Sequence, residues 1–150
     1  MSTRKFITKL FDAASLRRWN DFVAPVHFSE LDKQAHKMIF AWVLAKMEYG
    51  AAFSENTEQT DGLNWDRLIV GGISEFMQRV VLTDLRPHIY HRAISERRAQ
   101  VNEFVLSELS DMLREVNEHF AEQFEAYLTD PGFALCEKRL LHAAHFLATK

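Results

Sequence analysis

Several features that are scarce in this sequence limit the class of protein to which it can belong. Its 150 residues include one cysteine, Cys136, so no disulfide can form within the chain, as is usual in a reducing compartment. No apolar run approaches the roughly 20 residues that span a bilayer, and the start MSTRKFITKLFDAA has no long apolar segment of the signal-peptide kind. The sequence therefore predicts a cytoplasmic protein with no membrane partner.

An excess of basic charge is also missing. The net charge is -3, with 26% of residues charged, and no stripe of lysine and arginine stands out. Because proteins that bind nucleic acid usually carry such a stripe, we expect no nucleic-acid partner.

Glycine and proline are scarce, with 5 and 3 residues, which favours long elements with few turns. Apolar residues recur every three or four positions, the period of a helix, and 47% hydrophobic residues supply a substantial core. The sequence predicts one all-α domain over 1–150, a bundle of about five to six helices. No stop signal precedes Lys150, so a longer native chain is left open.

The pattern also predicts individual elements. Ser29 and Asp32 form a weakened capping box, and Asn64 is a second N-cap candidate. Pro87 and the run Asp130-Pro131-Gly132 are expected to end helices. The expected helices are Thr3–Ala14, Glu30–Tyr49, Trp65–Val81, Ser95–Leu128 in one piece or two, and a last one from Phe133 or Ala134.

The helix over Glu30–Tyr49 is apolar around most of its circumference, so we expect it to be buried on most sides, with His36 inside. A buried imidazole needs hydrogen-bond partners. Two interpretations stay open for His36: a core histidine bonded to a carbonyl or carboxylate, which the residues alone favour, and a metal ligand. His145, beside Leu141 and Ala148, is also expected to face inward.

The segment Ile73–Pro87 places polar residues among apolar ones. Glu75 and Arg79 are four apart on one helix, which predicts a half-buried ion pair. Gly71-Gly72 predicts close approach by a neighbouring helix. Asp84 is either a turn residue, the commoner case, or a carboxylate directed into a site.

A second polar group lies near the start of the chain. Arg18 and Trp19 follow the first predicted helix. They are either a helix-end turn with a packed indole, or a ligand clamp in which a guanidinium binds phosphate and an indole contacts a base or sugar.

Three separated segments, LRRWND, SELDKQAHKM and SEFMQRVVLTDLRP, together resemble the HD-domain metal-dependent phosphohydrolases, most closely the 5′-deoxynucleotidase-like branch. Arg18 and Trp19 match the family's Arg-Trp pair, His36 its first histidine, and Asp84 the aspartate of its turn. EKRLLHAAHFLA resembles its later helix. The resemblance implies an HD-like helical bundle.

The sequence departs from this family at the metal site. The His-Asp doublet is absent: its place falls at Ser74-Glu75 or Glu75-Phe76, and the final aspartate falls at His145. The resemblance then implies His36, Glu75 and His145 as ligands of a divalent ion such as Mn, Co, Ni, Fe or Zn. The family's catalytic glutamate falls near Gln78 or Arg79, so no matching general acid is present.

The resemblance implies a metal-dependent phosphohydrolase acting on a nucleotide or related phosphomonoester. Asp84 and Glu75 would be catalytic, and Arg18, Trp19 and Arg79 would bind the substrate. The alternative is a catalytically inactive HD-like domain that binds a ligand or dimerises, and a homodimer is left open. The expected partner is a small phosphorylated molecule, such as a nucleotide.

Overall fold

The computed structural model describes residues 3–16, 29–49, 63–82, 85 and 87–149. Over these residues the chain forms seven α-helices and no strand, so the all-α prediction is confirmed. The helix count exceeds the expected five to six because 87–129 forms three helices. They are α1 Thr3–Asp12, α2 Glu30–Tyr49, α3 Trp65–Val81, α4 Pro87–Glu96, α5 Arg98–Val116, α6 Glu118–Thr129 and α7 Leu135–Leu147.

The helix starts follow the predicted caps. The backbone N–H of Ser29 donates to Asp32 Oδ2 at 2.8 Å, and the N–H of Asp32 donates to Ser29 Oγ at 3.2 Å, so the capping box that opens α2 is reciprocal. Asn64 Oδ1 accepts from the N–H of Arg67 at 3.0 Å and caps α3. These local hydrogen bonds explain why both starts could be predicted from sequence.

Asn117 separates α5 from α6. It has an extended backbone, with φ -169° and ψ 135°, and its side chain accepts from the N–H of Phe120 at 3.2 Å. The break therefore carries its own N-cap, and the expected Ser95–Leu128 stretch bends instead of continuing as one rod. Further along, α6 ends at Thr129, ahead of the predicted stop Asp130-Pro131-Gly132.

Helix α3 lies at the centre and contacts α2, α5, α6 and α7. A side chain on Gly71 would overlap the ring of Tyr127 on α6, and one on Gly72 would overlap Met38 on α2. The predicted close approach at Gly71-Gly72 is confirmed, because both glycines let neighbouring helices pack directly on the α3 backbone. Glu137 of α7 is buried and accepts from the N–H of Asn64 at 2.6 Å, which places a carboxylate at the N-terminus of α3.

Helix α2 is buried on one side only. Its buried residues are Lys37, Ala41 and Ala45, and the two alanines share a core cluster with residues of α7. The expected burial on most sides is wrong, because several of its large apolar side chains are exposed. His36 is exposed, so its expected interior position is also wrong. The small alanines lie at the centre of the packing face with Met38 and Leu44 packed beside them, whereas Ile39, Trp42 and Met47 are exposed.

None of the helices formed by the described residues combines the length and apolar character that a bilayer crossing requires.

Candidate functional site

A cavity of about 1250 Å³ opens among α2–α7. Each of these helices contributes polar or charged side chains to its wall, and α3 supplies Glu75, Gln78 and Arg79 from successive turns. The volume exceeds the roughly 300–1,000 Å³ of typical small-molecule sites, so the cavity has room for a ligand together with water.

The floor of the cavity is a hydrogen-bonded group of three side chains from three helices. Lys37 on α2 donates to Glu75 Oε2 on α3, and Tyr127 Oη on α6 donates to Glu75 Oε1 at 2.6 Å. The Lys37 side chain is 3% exposed and that of Glu75 is 35% exposed. Glu75 therefore neutralises a buried cation, and both of its carboxylate oxygens accept hydrogen bonds.

Tyr127 stays protonated in this environment. Burial raises the pKa of Tyr127 well above its usual range, and the negative charge of Glu75 raises it further. Its hydroxyl is accordingly a fixed donor to Glu75 at physiological pH.

A second polar chain runs along the adjoining wall. Gln78 Nε2 donates to Asn102 Oδ1 at 2.8 Å, and Asn102 Nδ2 donates to the carbonyl of Leu128 at 2.6 Å. Tyr90 Oη donates to Gln78 Oε1 at 3.2 Å, and burial raises the pKa of Tyr90 to about 12. These bonds connect α3 with α4, α5 and α6 and hold the wall in one arrangement.

Arg79 contacts a backbone carbonyl and an aromatic ring, and not the carboxylate that the sequence predicts. Its Nη1 donates to the carbonyl of Leu85 at 3.2 Å, and its guanidinium lies 5.0 Å from the centre of the Tyr90 ring. The predicted Glu75–Arg79 ion pair is wrong. Glu75 pairs with Lys37 instead, and Arg79 donates to the backbone carbonyl of Leu85, which follows α3. Arg79 still lines the cavity.

The pKa of His145 reflects burial and the charges around the cavity. Its imidazole is half-buried, and burial, together with the positive charges of Lys33 and Lys37, lowers its pKa to about 4 although Glu75 acts in the opposite direction. His145 is therefore neutral at pH 7, with one ring nitrogen as donor and the other as acceptor.

Lysine and arginine side chains together outnumber carboxylates in the same region. Lys138 Nζ lies 5.0 Å from the Tyr127 ring centre and donates to the carbonyl of Asp130 at 2.8 Å. Burial is the main cause that lowers the pKa of Lys138, and the positive charge of Arg98 adds to it. Among the described lining residues there are five lysines or arginines and three glutamates, in a chain whose net charge is -3.

The sequence-predicted site residues are only partly brought together. Glu75, Arg79 and His145 all line the cavity. His36 is on the exposed side of α2 and is not among the lining residues. Arg18, Trp19 and Asp84 lie outside the described residues, so their predicted roles stay predictions.

The ligand set implied by the resemblance does not fit this arrangement. Within the described ranges, no group of three or more His, Cys, Asp or Glu side chains is arranged to hold a metal ion. Glu75 has Lys37 on one oxygen and the Tyr127 hydroxyl on the other, and His36 is exposed and does not line the cavity that Glu75 and His145 share. Of these three residues, Glu75 belongs to a hydrogen-bond network with Lys37 and Tyr127.

The sequence pattern does not predict two central residues of the site, Lys37 and Tyr127. Lys37 stands in the same helical row as Ala41 and Ala45, four and eight positions on, and this row of small residues was a signal for the buried face. Tyr127 follows the three-four apolar spacing of Phe120 and Phe124, a pattern that predicts only a core residue. Its hydroxyl contact with Glu75 spans 52 positions of sequence and has no local signal.

In comparisons with known proteins, the sequence matches no family model, no curated protein and no solved structure. The resemblance to the HD-domain phosphohydrolases consequently stays a prediction from short motifs.

Proposed function

We propose that this chain is a helical ligand-binding domain whose central cavity takes a small anionic molecule, such as a phosphomonoester. The observation that carries the proposal is the excess of cationic side chains around a prearranged polar floor, in a chain that is acidic as a whole. A cavity lined by one predominant sign of charge concentrates ligands of the opposite sign.

Different side chains of the cavity would supply the charged, apolar and hydrogen-bonding contacts to the ligand. Lys138 and the exposed Arg98 supply positive charge on the α5 and α7 sides, where an anionic group would be held. The rings of Tyr90 and Tyr127 give apolar surface beside them, and neutral His145 offers one donor and one acceptor. This combination of apolar surface with a few convergent polar groups is typical of small-molecule sites.

The phosphorylated class of ligand is favoured by the sequence resemblance and by the cations together. Metal-dependent hydrolysis of such a ligand stays a prediction from the resemblance alone. The described side chains do not form the implied ligand set, and both oxygens of Glu75 already accept hydrogen bonds. The geometry therefore favours binding over the enzymatic function.

A thermal-shift comparison tests the proposal with three probes: inorganic phosphate, adenosine 5′-monophosphate and adenosine. Ligand at about 100 times its Kd stabilises the folded state by about 2.7 kcal/mol, which for a chain of this size raises Tm by roughly 5–10 °C. We expect a rise of this order with the monophosphate and a much smaller one with adenosine. Equal Tm shifts with the monophosphate and with adenosine would contradict the proposal. So would the absence of a Tm shift with both the monophosphate and inorganic phosphate.

Hydrolysis is tested separately by phosphate release from adenosine 5′-monophosphate with Mn, Co, Ni, Fe or Zn added. The binding proposal expects no turnover above that of the ion alone. Robust metal-dependent turnover that is lost in Glu75→Gln would overturn it in favour of the phosphohydrolase.

A further inference from the structure

The outward side of α2 exposes large apolar side chains. Ile39 is 59% exposed, Trp42 53% and Met47 77%, and Phe40 and Val43 are exposed beside them. Ile39, Val43 and Met47 lie on the side of the helix opposite Ala41 and Ala45, which contact the core, and Phe40 and Trp42 lie at the two edges of that side. A helix in a folded monomer normally turns polar residues to solvent, so this face has the character of an interface.

The size of this face matches one side of a stable dimer interface. At their exposed fractions, the five apolar side chains present on the order of 600 Å² of surface. A standard interface buries about 800 Å² per partner, of which about 55–65% is apolar. The α2 face alone therefore supplies the apolar part of such an interface.

The charges on the same face indicate what kind of surface packs against it. At 100° per residue, Asp32, Ile39, Val43 and Lys46 lie within about 60° of one another on the outward side. Asp32 is near the start of α2 and Lys46 is in its last turn, with Ile39 midway between them. Turning the helix end over end about Ile39 exchanges the acidic position with the basic one, so the face is complementary to itself.

We infer that α2 packs antiparallel against α2 of a second copy of this chain, about a two-fold axis near Ile39. Asp32 then lies opposite the partner's Lys46, and the contact occurs twice, as two-fold symmetry requires. A parallel pair would instead place the two Asp32 carboxylates together. The antiparallel arrangement also aligns the helix dipoles favourably.

The charged ends are suited to this contact. Asp32 accepts both Ser29 hydrogen bonds through Oδ2, and these bonds lower the pKa of Asp32, so it is ionised at neutral pH. Lys46 Nζ lies 5.8 Å from the Trp42 ring centre, which places the ammonium at the edge of the apolar face. Charges at a rim set register and partner choice more than affinity.

The interface is separate from the cavity. The residues of α2 that line the cavity are Glu30, Lys33, Gln34 and Lys37, and none of the five exposed apolar residues is among them. Failure of the dimer would accordingly leave the ligand-binding proposal standing, and the reverse also holds.

Sedimentation velocity of the whole chain from 1 to 100 µM tests the inference. We expect a dimer with twice the chain mass of 17.5 kDa. Ile39→Glu places two carboxylates at the axis and should raise the dimer Kd at least 100-fold. Phe104→Glu, at a 50% exposed position on α5, is the matched control and should leave the dimer unchanged. A monomeric parent chain at 100 µM, or a dimer insensitive to Ile39→Glu, would overturn the inference.

A charge exchange tests the antiparallel register. Lys46→Asp should weaken the dimer about 10-fold, since it faces like charges across the interface. Adding Asp32→Lys to that variant should restore most of the affinity, because each rim then carries an opposite pair again. If the double variant dimerises no better than Lys46→Asp alone, the antiparallel register is wrong. Helical circular dichroism of each variant verifies that the chain remains folded.

Discussion

Lys37 of α2 donates to Glu75 of α3 across 38 positions of sequence, and this partly buried ion pair joins two helices at the floor of the cavity. The lysine is almost fully buried, whereas the carboxylate is one-third exposed and also accepts from Tyr127. The pair is therefore a structural support of the site, and removing either partner affects stability before it affects binding.

Glu75→Gln is expected to destabilise the fold by about 3 kcal/mol, because it leaves the Lys37 ammonium buried without its counter-charge. Urea unfolding measures the change. Glu103→Gln removes an exposed carboxylate from the same cavity and is expected to change the free energy of unfolding by less than about 0.5 kcal/mol. If the two variants were equally stable, the Lys37–Glu75 pair would not support the fold.

Adding Lys37→Met to Glu75→Gln should recover at least about 1 kcal/mol of the loss. The buried cation is then gone, and the amide carbonyl can still accept from Tyr127. A double variant less stable than Glu75→Gln alone would show that the unpaired ammonium is not the cause of the destabilisation.

Asn102→Ala is expected to cost about 2 kcal/mol, since it leaves Gln78 Nε2 and the carbonyl of Leu128 without their partner in a buried wall. Gln100→Ala, at an exposed position on the same helix, serves as the control with a change near zero. Thermal unfolding of both proteins measures the difference. Equal Tm values would contradict the claim that the Asn102 hydrogen bonds stabilise the fold.

Gly71→Ala and Gly72→Ala are expected to differ although the two glycines are adjacent. The new methyl group at Gly71 meets the Tyr127 ring and Leu141, which are held in the core, so we expect a loss of about 2 kcal/mol. At Gly72 it meets the flexible Met38 thioether, and the gain in helix propensity of about 1 kcal/mol offsets most of the strain. Denaturant unfolding measures both, and the reverse order of stability would contradict this packing.

His145 makes stability depend on pH. Its folded pKa of about 4 is below its ordinary value of 6.5, so its contribution is fully present above pH 6.5 and is lost as pH falls toward 4. His145→Gln should remove about 1 kcal/mol of that pH dependence, a figure discounted because the ring is only half-buried. Unfolding at pH 7 and pH 4 measures it. His119→Gln, at a 77% exposed side chain, should retain the parent dependence, and an unchanged pH profile in His145→Gln would contradict the burial argument.

Local signals account for what the sequence could predict. The bounds of α2 and α3 agree with the expected Glu30–Tyr49 and Trp65–Val81, because Ser29, Asp32 and Asn64 act on their own helix starts. The paired glycines likewise indicate close packing, since nothing local favours them in a helix.

Which side of α2 faces the core was not predictable from its hydrophobicity. The alanines at 41 and 45 pack inward and large apolar side chains face outward, so a count of apolar positions gives the wrong side. The partners of Glu75 were equally hidden. Arg79 is close in sequence, but Lys37 and Tyr127 are 38 and 52 positions away and approach it only through helix packing.

The most direct test of the central claim is the affinity of the cavity for adenosine 5′-monophosphate, measured by isothermal titration on the parent chain, Lys138→Gln and Lys5→Gln. Lys138 lines the cavity, and Lys5 is 71% exposed on α1. A charge-assisted hydrogen bond contributes about 1.5–3 kcal/mol, so Lys138→Gln should weaken binding by at least about 10-fold. Lys5→Gln should bind as the parent chain does. No measurable binding to the parent chain, or equal weakening in both variants, would contradict an anion site in this cavity.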